Sequence, residues 1–133
     1  MNYVQHQIFT DNRLNILADK LFYYLDENFT FNSIKEKFLL TGKVAALMQG
    51  HGTSPASNFI FITNDQDIYN FLLLRINDFM KSKTVIKFKE RIVLDFDFCK
   101  IEIWKYNGKF SFVNFENKEI YLEEYNKIQQ ILL

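Results

Sequence analysis

The sequence predicts one α+β domain over residues 1–133, a two-layer core in which helices pack on a mixed, mainly antiparallel sheet. Three observations point there. Two long stretches carry apolar residues at helical spacing, several shorter ones alternate with a period of two, and most helical stretches precede most strand-like ones. With 48% hydrophobic and 17% aromatic residues, the chain has ample core material. A chain of this size buries about two-thirds of its unfolded surface.

The elements follow in order. Between Asp11 and Phe29, Leu14, Leu17, Leu21, Phe22 and Leu25 follow the spacing of an amphipathic helix. Ser33-Ile34-Lys35-Glu36 fits a capping box before a short helix. Phe38-Leu39-Leu40 reads as a buried strand, Gly42 to Met48 as a compact helix ending at Gly50, and Asn58 to Thr63 as a second strand. Asn64 or Asp65 can cap the next helix, where Ile68, Phe71, Leu72, Ile76, Phe79 and Met80 form a continuous apolar stripe.

After Met80 the period changes to two. Thr84–Lys89, Arg91–Phe98, Lys100–Tyr106 and Lys109–Phe115 favour strand. Asn107-Gly108 predicts a two-residue hairpin turn, which pairs Ile103 with Phe112. Glu119 to Leu133 predicts a closing helix with Leu122, Tyr125, Ile128 and Leu132 on one stripe.

Charge and cysteine content bound the function. Lys+Arg and Asp+Glu both total 16, so bulk electrostatics do not favour a nucleic-acid partner. The single cysteine, Cys99, has no partner for an internal disulfide. No apolar run approaches the roughly 20 residues that span a bilayer, and the N-terminus has no secretory pattern. The expectation is a cytoplasmic protein with no membrane partner. Its 15 phenylalanines suit either a dense core or a homodimer interface.

The residues between Thr41 and Thr63 hold three of the four glycines, the only proline and one of two histidines. Thr41-Gly42-Lys43 joins a strand to a helix, where free backbone N–H groups favour an anion, although the full Walker A pattern is missing. His51 and Ser54 lack the spaced acid of a triad, and His6, His51 and Cys99 lack metal-ligand spacing. Asp95 and Asp97 lie two apart, so in a regular strand they share a face. Lys87, Lys89 and Arg91 share a side by the same rule.

This stretch resembles the signature of the nucleotidyltransferase superfamily, and within it the AbiEii-like branch, which includes toxins of bacterial toxin–antitoxin systems. Leu39-Leu40-Thr41-Gly42-Lys43-Val44-Ala45-Ala46-Leu47 is similar to that branch's strand and Gly-Gly-Thr-Ala-Leu-Ala-Leu turn. Gly50-His51-Gly52-Thr53-Ser54 is similar to its Gly-His-Arg-(Ser/Thr) loop, and Asn58–Thr63 occupies the place of its Asp-Ile-Asp-Phe-Phe-Thr strand. The resemblance implies a nucleotide held by Thr41, Gly42, Lys43 and His51. It also implies metal ions held by an Asp-x-Asp pair and a third acid on a later strand.

Lys100-Ile101-Glu102-Ile103 resembles that later strand, which makes Glu102 the third acid, with Asp95 or Asp97 as the fallback. The departures are decisive for chemistry. The metal-binding pair becomes Asn58 and Ile60, and the loop arginine becomes Gly52. Asparagine is a neutral Mg²⁺ ligand and isoleucine is none.

Three functional readings follow. One is a nucleotidyltransferase-like domain without its metal centre, a pseudoenzyme that binds a nucleotide or a protein partner in a regulatory role. The second is an active transferase using Mg²⁺ and an NTP at relocated carboxylates, Asp95, Asp97 and Glu102, to modify RNA or protein. The third is an unrelated α+β interaction domain.

Overall fold

The computed structural model describes residues 13–28, 37–51, 58–114 and 121–128. The elements are α1 (Arg13–Asn28), β1 (Phe38–Thr41), α2 (Gly42–Met48), β2 (Phe59–Thr63), α3 (Gln66–Met80), β3 (Thr84–Lys87), β4 (Arg91–Asp95), β5 (Lys100–Lys105), β6 (Phe112–Asn114) and β7 (Tyr121–Glu123). A single 3₁₀ turn, Tyr125–Lys127, follows β7. The capping box at residues 33–36 lies outside the described residues.

The seven strands form one sheet in the order β3-β4-β5-β2-β1-β7-β6. It is mixed but mainly antiparallel: β2 runs parallel to β5 and β1 parallel to β7, and the other pairs are antiparallel. The α+β prediction therefore holds.

Alternation along the strands divides their side chains between two faces. One face carries Phe38, Leu40, Phe59, Phe61, Ile92, Leu94, Ile101, Ile103 and Leu122. These form one core with Leu21, Tyr24 and Leu25 of α1, Val44 and Ala45 of α2, and Ile68, Leu72 and Ile76 of α3. The opposite face has a smaller cluster around Leu39 and Ile62, joined by Ile60, Trp104, Tyr106, Phe112 and Tyr121. It is also the face on which the polar residues considered below converge.

Two predicted elements are corrected. Asn107-Gly108 does not close a hairpin between β5 and β6, which lie on opposite sides of the sheet's centre. Gly108 does adopt the positive φ of +100° that such a turn needs. The edge of β5 is instead taken by β2, in register from Phe59↔Ile101 to Thr63↔Lys105, which places two buried strands side by side. The predicted closing helix is replaced by β7 and the 3₁₀ turn, because Leu122 pairs with Leu40 of β1 and with Val113 of β6. Residues 129–133 lie outside the described residues.

A third, smaller correction concerns the cations after α3. Phe88–Arg91 is a tight turn, with the Phe88 N–H donating to the Arg91 carbonyl at 2.8 Å. The turn reverses the alternation: Arg91 pairs with Trp104, whereas Lys87 pairs with Ile92 on the other face.

Helix α3 begins at Asp65, whose carboxylate accepts from the Ile68 N–H at 3.0 Å and lies 3.4 Å from the Lys37 ammonium. The backbone N–H holds the Asp65 carboxyl below its ordinary value of 3.8. The cap's contribution is therefore complete above that pH and is lost as pH falls through the lower native value. Asp65→Ala should cost about 1 kcal/mol in urea denaturation at neutral pH. The gap to the wild type should close in strongly acidic buffer, and Asp65→Asn should keep the cap without that pH dependence.

Candidate functional site

The parallel pairing of β2 with β5 sets one transverse row of residues. Thr41 is in register with Ile60, Ile60 with Glu102, and Glu102 with Val93. Adjacent members of the row stand about 4.8 Å apart through the sheet. Glu123 extends the row beyond Thr41, whose hydroxyl donates to its carboxyl oxygen at 2.6 Å. Both are buried, Glu123 with only 3% of its surface accessible.

Asn58 and Glu102, separated by more than forty positions in the chain, lie at the same end of the β2–β5 pair. The Asn58 side-chain oxygen accepts from the Lys100 N–H at 2.8 Å. Glu102 accepts from Arg91 Nε at 2.8 Å and from Trp104 Nε1 at 3.2 Å. The direct neighbour of Glu102 in the row is the aliphatic side chain of Ile60, two residues along β2 from Asn58.

The two aspartates are arranged differently from a regular strand. β4 ends at Asp95, and Asp97 turns into the left-handed region at φ 73° while its N–H donates to Asp95 Oδ1 at 2.9 Å. That is a local side-chain turn, and it breaks the alternation expected to align the two carboxylates. Asp97 pairs with Lys83 at 2.9 Å. Asp95, Asp97 and Glu102 are therefore not brought together, and among the described residues no group of three His, Cys, Asp or Glu side chains is placed to hold a metal ion.

The glycine turn has the expected shape. Gly42 opens α2 at φ +70°, a conformation that a side chain would strain. Thr41 and Gly42 are buried, and Lys43 and His51 are exposed. The neighbour of this turn is the β7 segment, which sequence reasoning placed in a helix. Gln49 fastens the two together: its Nε2 donates to the Glu123 carbonyl at 2.8 Å, and its Oε1 accepts from the Tyr125 N–H at 3.1 Å. The His51 ring stacks on Tyr125 with centroids 3.6 Å apart and planes 7° from parallel.

Glu123, Gln49 and Tyr125 are thus the residues that the sequence reading missed. Only the Tyr-Leu-Glu pattern beside a polar turn signals them, and that pattern also fits a helix. Tyr106 is a further one. Its hydroxyl is buried without a partner among the described residues, and burial together with the charge of Glu123 raises it above the ordinary tyrosine value.

The order of strands and the position of the glycine turn can be compared with solved structures. The chain matches the crystal structure of the lincosamide antibiotic adenylyltransferase LnuA in its lincomycin-bound form, with a TM-score of 0.52 over 80% of this chain and 79% of that one. This is a nucleotidyltransferase-like fold. At 16% identity the likeness extends to the fold alone. No family model and no curated protein matches the chain. Among the described residues of this nucleotidyltransferase-like domain, no helix is long and apolar enough to cross a membrane.

The buried Thr41–Glu123 bond generates a stability prediction. Removing the hydroxyl takes away the donor that Thr41 gives to a buried carboxyl. Thr41→Val should lower unfolding stability by about 1–3 kcal/mol in urea titrations, while Thr41→Ser should retain most of it.

Proposed function

We propose that this domain is a nucleotidyltransferase-like pseudoenzyme, a binding or regulatory module that has lost the metal centre used for transfer. The observation that carries this reading is the row Thr41–Ile60–Glu102. An aliphatic side chain stands beside the one acid at the position where the superfamily pattern puts a second acidic ligand.

The chemistry of the three residues does not fit a bound Mg²⁺. Hard divalent cations need several oxygen ligands, preferably anionic. Asn58 offers a neutral oxygen already accepting from a backbone N–H, Ile60 offers none, and Glu102 is neutralised by Arg91. No transfer step is therefore assigned to these groups. The affiliation with the AbiEii-like branch, and with it a place in a toxin–antitoxin system, rests on the Thr41–Leu47 and Gly50–Ser54 motifs and belongs to the same proposal. So does a nucleotide held near Thr41, Gly42, Lys43 and His51, or a protein partner in its stead.

Calorimetry with MgCl₂ tests the metal-site half. The wild type should give no saturable heat, whereas Asn58→Asp combined with Ile60→Asp should bind Mg²⁺ measurably, since it restores one carboxylate directly beside Glu102 and a second two residues away on the same strand. A double variant that folds, by circular dichroism, yet binds no metal contradicts the reading of Asn58 and Ile60 as the vacated ligand positions.

A further inference from the structure

A separate concavity lies on the same sheet face, at the β4 and β5 ends remote from Asn58. It has a volume of about 630 Å³ and is lined by Phe88, Lys89, Glu90, Arg91, Trp104, Lys105 and Tyr106. That volume lies in the range of small-molecule sites, roughly 300–1,000 Å³. Its floor is aromatic. Trp104 and Tyr106, two apart on one strand face, have centroids 6.2 Å apart and planes within 11° of parallel.

A cation is built into this floor. The Arg91 guanidinium lies 4.9 Å from the Trp104 ring centroid and 5.7 Å from that of Phe88. Glu102 sets its position by accepting from Arg91 Nε, and the same oxygen accepts from the Trp104 indole N–H. One carboxylate thus aligns both the ring and the cation, and among the described contacts only the Nε of Arg91 is engaged. Lys89 adds a second positive charge to the lining, against a single rim acid, Glu90, once Glu102 is matched with Arg91. Lys105 alternates onto the other face in register with Thr63, and its ammonium donates to Asn107 Oδ1 at 3.2 Å. Phe88, 52% exposed, leaves an apolar ring open to solvent at the edge.

We infer that this pocket binds a small planar aromatic anion, its ring on Trp104 and Tyr106 and its charge on Arg91 and Lys89. Aromatic faces attract a flat ring by offset stacking, and a guanidinium gives an anion two parallel donors. The ligand class has two sources, an aromatic carboxylate or a nucleoside monophosphate, and both present the same chemistry. A long nucleic-acid strand is disfavoured by the zero net charge of the chain.

Trp104 is the only tryptophan, so its emission reports on this pocket alone. The test is fluorescence titration of the full chain with AMP and with 4-hydroxybenzoate, each confirmed by calorimetry. Adenosine supplies the ring without charge, and ribose 5-phosphate the charge without a ring. Saturable quenching by at least one of the two aromatic anions is expected, and the tighter of them names the source. Adenosine should bind roughly tenfold more weakly than AMP if the nucleotide is preferred, and ribose 5-phosphate should not compete.

Arg91→Ala should weaken binding roughly tenfold. Because that change also strips Glu102 of its partner, Phe88→Ala serves as the second variant; its ring is half in solvent, and it should weaken binding without altering the melting curve. Four results would each overturn the inference: no saturable response to either anion, equal affinity for AMP and adenosine alongside no response to 4-hydroxybenzoate, calorimetric binding unchanged in Trp104→Ala and Phe88→Ala, or binding of an oligonucleotide alone.

Discussion

The parallel, in-register pairing of β2 with β5 is the constraint on which the rest of the molecule depends. It buries Phe59, Phe61, Ile101 and Ile103 together against the helices, because partners in a ladder share a face. A one-residue slip of β2 would turn Phe59 and Phe61 outward, and a slip of β5 would turn Ile101 and Ile103 outward and bring Glu102 into the core. The loss of two large apolar contacts opposes either slip, and the burial of an uncompensated carboxylate opposes the second as well. The register that makes the core thus also fixes what stands beside Glu102.

The polar face follows from the same constraint. Glu102, placed among partly buried aromatic neighbours, is satisfied by the Arg91 guanidinium and the Trp104 indole N–H. Glu123, brought beside Thr41 through β7, is satisfied by a threonine hydroxyl. The two carboxyls of the row, Glu102 and Glu123, thus both have protein partners. The same Glu102 that lies in the row of the proposed vacated site also orders the aromatic pocket next to it. One side chain thereby links the two ends of the face.

Local chemistry made a large part of this legible. The apolar stripes of α1 and α3, the Asp65 cap, the buried Phe38-Leu39-Leu40 run and the glycine at the start of α2 each carry a short-range signal, and each takes the predicted form. Non-local pairing decided the rest. Asn107-Gly108 has the right turn residues, but β2 takes the edge of β5 that the hairpin needed. Tyr121-Leu122-Glu123 carries a helical stripe, yet the buried edge of β1 draws it into the sheet, and with it Glu123 into the row. Asp97 escaped the strand alternation because the Asp95 carboxylate offered its N–H a closer partner. The convergence of Asn58, Ile60 and Glu102 was expected only from the family pattern; periodicity alone does not say which strands become neighbours.

The central claim is that the fold is retained while the transfer chemistry is lost. A radiolabelled transfer assay tests it most directly, with the unmodified chain, Mg²⁺ or Mn²⁺, and each of the four NTPs in turn. Acceptors should include the protein itself and total RNA. The account predicts no label transferred above a metal-free control under any condition. Robust, metal-dependent labelling of any acceptor by the wild-type chain, lost on Glu102→Gln, would contradict it.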